Sequence, residues 1–108
     1  MADGFAGRLR TRLGVERFFG VGDGIGGYEG GWTPAGQVWA ELSEAGEEAR
    51  IEGERRVRRA RWKVLARAGE IDLTCRLRWG VRAFAVLSIV RDPATPDRMR
   101  LLVEEVAA

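Results

Sequence analysis

The chain has 108 residues, 45% hydrophobic and 31% charged, with 18 Lys+Arg against 16 Asp+Glu. That is one small domain, 1–108, able to fold alone but with a thin stability margin that association with other chains would widen. With no histidine, no asparagine and one cysteine, Cys75, it lacks the means for imidazole-based nucleophilic relays, Cys/His zinc sites or a disulfide framework.

Nothing near Met1 joins a basic start to an apolar run, and no apolar stretch approaches the roughly 20 residues of a membrane span, so neither a signal peptide nor a membrane role is expected. Net charge is +2, carried by seventeen arginines and one lysine. Codon bias in a GC-rich genome accounts for most of that excess. Arginine nonetheless suits bidentate pairing with carboxylate or phosphate.

From Arg8 to Phe18, Leu9, Thr11, Leu13 and Val15 alternate with polar residues, the period of a half-buried strand. Seven of the twelve residues from Gly20 to Gly31 are glycine, so Gly22, Gly24, Gly26, Gly27, Gly30 and Gly31 predict a long flexible loop. Gln37 to Leu42 resumes the alternation with Val38, Ala40 and Leu42 on one face. Trp39 falls on the opposite face, where another layer or subunit should cover it.

Ser43 to Glu54 holds Glu44, Glu47, Glu48, Glu52 and Glu54 with few apolar markers, which predicts a short exposed helix or ordered loop between strands 2 and 3. Ser43 would cap it, and Gly46 and Gly53 would weaken it by about 1 kcal/mol each. The charge then reverses, with Arg55, Arg56, Arg58, Arg59, Arg61 and Lys63 leading into a third strand on which Trp62, Val64 and Ala66 share a face. Leu73, Cys75, Leu77 and Trp79 predict a fourth strand and Gly80 a tight turn. Val81 to Val90 is apolar on both parities, as in a strand buried on both faces, and Met99, Leu101 and Val103 mark a sixth strand after the Pro93 and Pro96 turn. Six short strands and one modest helix predict a mainly β fold, an antiparallel β-barrel or sandwich.

Little here carries chemistry. Gly22, Gly24 and Gly27 match the spacing of a dinucleotide fingerprint, but the segment leads into a strand rather than the required helix. The glutamates show no metal-loop spacing. Cys75 lies on the apolar parity, and Ser43 and Ser88 have no imidazole base, so neither an enzyme nor a cofactor or metal site is expected. The Arg55 to Lys63 run, with Trp62 inside it, has the look of a phosphate-contacting stretch. The acidic block before it argues instead for a solvated face paired with neighbouring glutamates.

Taken together, several segments resemble the phage head-tail joining family, the head closure or stopper proteins. These are Gly7, Leu9, Arg10, Arg12 and Leu13; Asp23, Gly26, Gly27 and Trp32; Val38, Trp39 and Ala40; Ser43 to Glu48; Arg91 and Asp92; and Leu101 to Val106. The Gly-rich first loop and the dense arginine run depart from the family pattern.

The resemblance implies a small β-barrel that assembles in the bacterial cytoplasm into a ring, taken as a hexamer, in the neck of a tailed phage or gene transfer agent particle. Its neighbours would be the portal and adaptor on the head side and the tail terminator or tail tube on the other. Packaged DNA would pass through its channel, and the segment from Ser43 to Arg55 would help retain it. On this reading Glu44, Glu47, Glu48, Glu52 and Glu54 line the channel or gate. Trp39, Arg56, Arg58, Arg59, Arg61 and Phe84 make subunit or ring contacts. The alternatives are a β-barrel that binds single-stranded nucleic acid through its arginines, or another neck ring such as a tail terminator.

Overall fold

The computed structural model describes residues 4–22 and 28–107. Its elements are α1 (Phe5–Arg8), β1 (Thr11–Gly22), β2 (Tyr28–Glu52), β3 (Arg55–Arg67), β4 (Cys75–Trp79), β5 (Arg82–Val90) and β6 (Arg98–Val106). Every strand pairing is antiparallel, and the six strands close into a ring in the order β1-β2-β3-β6-β5-β4. The expected six-stranded antiparallel architecture is present, with closure completed by four residue pairs between β1 and β4, from Gly14↔Arg78 to Arg17↔Cys75.

Alternation builds the core. Leu13 and Val15, Val64 and Ala66, Cys75 and Leu77, Phe84 and Val86, and Met99, Leu101 and Val103 are all buried in one cluster, with Trp62 and Trp79 packed at its edge. A second, smaller cluster lies outside the barrel wall, where Phe5 of α1 and Leu9 cover Leu65 of β3. Arg8 fixes this helix by a bidentate pair with Glu41, at 2.9 and 2.8 Å.

Several expectations need correction. The segment from Ser43 to Glu54 is not a helix or loop: its residues through Glu52 continue β2, and Gly53 and Glu54 make the turn into β3. Glu47, Glu48, Ala49, Arg50, Ile51 and Glu52 each have a cross-strand partner among the residues from Arg55 to Ala60. A marginal helix burying nothing loses to a ribbon in which Glu47, Glu48 and Glu52 each lie near an arginine. Among the described residues the one helix instead precedes β1, and at four residues it is too short to leave a periodic signal.

The glycine-rich stretch is likewise less of a loop than its composition implies. Gly22, Gly30 and Gly31 lie in the β1–β2 ladder, paired with Tyr28, Gly20 and Phe19, whereas Gly24, Gly26 and Gly27 fall outside the described residues. Leu73 does not join the apolar face of β4. It is exposed in the turn ahead of the strand, and Ile71 fills the core position instead.

The double-sided apolar pattern of β5 reflects burial on both faces only at Ala83 and Phe84, and further along a bulge between Val86 and Ser88. The extra residue switches parity, so that Val86 and Ile89 both pack on the core while Val90 stands exposed.

Candidate functional site

Beyond the barrel wall two ribbons have only two strands each. β1 loses its β4 partner after Arg17, so the far parts of β1 and β2 pair only with each other, from Phe18↔Trp32 to Gly22↔Tyr28. At the other end of β2, β3 pairs with β6 only from Arg61 onward, so residues 47–52 and 55–60 stand free as a second ribbon, whose base at Ser43 and Glu44 still pairs with Lys63 and Trp62 beside β6. Six residues of strand span about 20 Å. The molecule accordingly measures 58 × 32 × 26 Å.

The second ribbon contains every expected channel residue. Five glutamates and five arginines lie between positions 43 and 60, so it is charge-balanced rather than acidic. The glutamates assigned to the channel and the arginines assigned to contacts therefore do not occupy separate places in the fold. They belong to one hairpin, and they pair with each other. Arg59 holds Glu52 bidentately at 2.7 and 3.2 Å, Arg58 lies 3.8 Å from Glu47, and Arg61 lies 3.9 Å from Glu48. The Arg59 bond holds the Glu52 carboxyl below its ordinary value, and Glu52 raises Arg59 in turn. Glu44 and Glu54 make no ion pair among the described residues.

Between Glu44 and Glu47 the ladder slips by one residue, a bulge containing Gly46 at φ +84°. Glycine takes that left-handed backbone without a Cβ clash. At the tip, Gly53 at φ +65° supplies the positive dihedral that two-residue hairpin loops need.

At the ribbon's root lies a group no sequence pattern marks. Glu104 of β6 is 3% exposed, the one buried charged residue among the described residues. Its Oε2 accepts hydrogen bonds from Arg50 Nη2 of the ribbon at 2.6 Å and from Arg61 Nε at 2.9 Å. Beside it, Arg82 closes the barrel end. It lies 5.2–5.5 Å from the ring centroids of Trp62, Trp79 and Phe84 and pairs bidentately with Glu105 at 3.0 and 2.8 Å. That bond depresses the Glu105 carboxyl.

The contact candidates separate cleanly. Trp39 is 52% exposed, with Arg12 5.4 Å from its ring, and Arg56 is exposed on the ribbon. Arg58 keeps most of its side chain in water, whereas Arg59 and Arg61 are committed to Glu52 and Glu104. Phe84 is 1% exposed in the core and offers no surface for a contact, because its parity points into the barrel. The first ribbon adds aromatics that composition alone passed over. Phe18 and Trp32 meet edge to face at 5.6 Å, Arg76 lies over Trp32 at 4.6 Å, and Phe19 is 63% exposed.

No helix among the described residues is long and apolar enough to cross a membrane, and no group of three metal-ligating side chains occurs among them.

Comparison with solved structures finds a match to a chain from the virion of a native gene transfer agent particle. The TM-score is 0.80 at 25% identity, covering 94% of this chain and 98% of that one. The solution structure of protein SF1141 from Shigella flexneri 2a shares the fold, with a TM-score of 0.66 and 18% identity over 99% and 98% of the two chains. No curated protein matches in sequence. The family model described as phage head completion protein matches residues 6–106, nearly the whole barrel and both ribbons, and the chain belongs to that family.

Proposed function

We propose that this protein is a structural component of the head-to-tail neck of a tailed phage or gene transfer agent. In that setting it forms a ring, taken as a hexamer, between the portal and adaptor on one side and the tail terminator or tail tube on the other. One observation carries the reading: a family match over residues 6–106 coincides with close structural likeness to a chain of a gene transfer agent virion.

In this reading the ribbon of residues 43–60 is the element that meets packaged DNA in the channel. It fits because it stands clear of the core, so it can move without opening the barrel. Balanced charge suits a surface that DNA must pass, since it neither binds phosphate strongly nor adds a large repulsive field. Trp39, Arg56 and Arg58, exposed on the barrel and ribbon, are the side chains left for contacts with neighbouring copies or rings.

The rival reading, a single-stranded nucleic-acid binder, has less support. Of the arginines it would use, Arg59 and Arg61 are taken by carboxylates, and Trp62 packs against Trp79 at 5.9 Å beneath Arg82 instead of offering a stacking face.

The test is complementation of particles that lack the protein. Wild type should restore DNA-filled, tailed particles. Replacing residues 48–59 by a two-residue turn should restore ring and tail attachment while altering DNA retention. Particles that retain DNA normally with the shortened ribbon would remove the ribbon from the mechanism, and failure of the wild-type protein to join particles would remove the neck assignment.

A further inference from the structure

The ribbon beyond the Glu44–Glu47 bulge has almost nothing of its own to hold it in place. Its residues are mostly exposed, and Ile51 near its tip is 75% exposed. A two-stranded ribbon without an apolar face is marginal in water, so its position is set by what it touches. Its internal pairs, Arg59 with Glu52 and Arg58 with Glu47, stitch its strands together but say nothing about where the ribbon lies. Among the described residues, the bond from Arg50 to Glu104 is the one ion pair that ties the part beyond the bulge to a strand other than β2 and β3.

We propose that Arg50 and Glu104 form a latch that holds this ribbon against the barrel, and that the ribbon has a second, released position reached by breaking this bond and pivoting at the Ala45–Gly46 bulge. The geometry supports each part. Glu104 is buried in β6 and therefore immobile, which makes it an anchor. Arg50 sits past the pivot, where a small change in bulge dihedrals is amplified along the ribbon.

Release leaves no bare charge in the interior, because Arg61 keeps its own 2.9 Å bond to the same oxygen of Glu104. Holding is also imperfect. The Arg50 Nε is buried with no hydrogen-bond partner, so the latched position carries an unsatisfied donor that water would satisfy on release. A buried anchor shared by a permanent and a detachable cation, one of them incompletely satisfied, defines two states, of which the latched one is favoured in the intact chain. The latch belongs to the fold of the single chain and holds whether or not the protein forms a ring.

Spin-label distances on the full chain test it. In a Cys75→Ala background, Glu54→Cys places one label at the ribbon tip and Val81→Cys places the other in the exposed β4–β5 turn. The parent should give one narrow distance peak. Arg50→Met and, separately, Arg50→Gln should broaden it or move it by about 5 Å or more, with the melting midpoint unchanged within a few degrees. Arg50→Lys, which keeps the charge, should fall between. Distributions in both variants that superimpose on the parent would overturn the latch. So would a large fall in melting midpoint in both, since that would make the contact part of the barrel's own structure.

Discussion

The barrel closes where β1 meets β4, a seam of four residue pairs, and one carboxylate spans it. Glu16 faces Arg76 across the ladder, with bonds at 2.8 and 2.9 Å, and Arg78 lies 3.4 Å from the same oxygen. The Glu16 and Arg76 side chains are 13% and 11% exposed, so solvent screens the pair weakly. Glu16→Ala leaves two guanidinium groups facing one another without their anion, and Arg76 is almost out of water. Removing one partner of a buried ion pair costs about 3–5 kcal/mol, and the partial exposure of Arg78 places this case near about 3 kcal/mol. A domain of this size has about 5–15 kcal/mol in total.

Urea titration followed by tryptophan fluorescence should therefore show a large fall in midpoint at unchanged slope, and thermal melting should drop by about 12 °C or more. The double variant Glu16→Leu with Arg76→Met should recover much of the loss, because an apolar pair of similar volume has no desolvation penalty. A Glu16→Ala protein within about 0.5 kcal/mol of wild type, or a double variant no better than the single, would refute the view that this pair closes the seam.

The remaining expectations concern core, pH, surface and partner. Leu77→Ala removes a fully buried side chain packed among Val15, Phe84 and Leu101, and should cost about 2–5 kcal/mol in the same titration. The carboxyls of Glu41, Glu52, Glu105 and Asp72 all lie below their ordinary values, through bonds to Arg8, Arg59 and Arg82 and, for Asp72, to Thr74 and Arg17. Depressed acids add stability that is complete above their unfolded values of 4.5 and 3.8 and is lost as pH falls through the folded ones. Having no histidine, the protein should melt at a constant temperature between about pH 5 and 8, then at progressively lower temperature below about pH 4. Trp39→Ser should change the stability of the isolated chain by less than about 1 kcal/mol while weakening incorporation into particles, a difference that melting and particle binding read separately. Filter binding of single-stranded DNA at two salt concentrations should show no tight, salt-sensitive complex.

The barrel was legible where one face of a strand is apolar and the other is not. Leu13 and Val15, Val64 and Ala66, Cys75 and Leu77, and Met99 to Val103 alternate in sequence as they do in space. The ribbon was misread because its stability is not local. Glu44, Glu47 and Glu48 mimic the first turns of a capped helix, and only pairing with arginines up to thirteen positions later makes a strand the better state. Composition flagged the glycines but could not show that β1 and β2 run on through Gly20 and Gly30. Glu104 was invisible for a similar reason. It occupies a polar parity position, and its burial is created by Arg50 and Arg61, which are 54 and 43 positions away. The exposure of Trp39, by contrast, follows from parity alone.

β2 is a single strand of 25 residues that runs from one projecting ribbon, through the barrel wall, into the other. Antiparallel ladder bonds lie across the strand, so a pull along β2 loads its bonds to β1 and β3 side by side, in shear, and not one after another as in unzipping. Many bonds must then yield together before the strand slips. The same continuity makes β2 a tie-rod: force applied at the glycine-rich end is delivered to the charged end through one unbroken backbone, with the closed barrel as its collar.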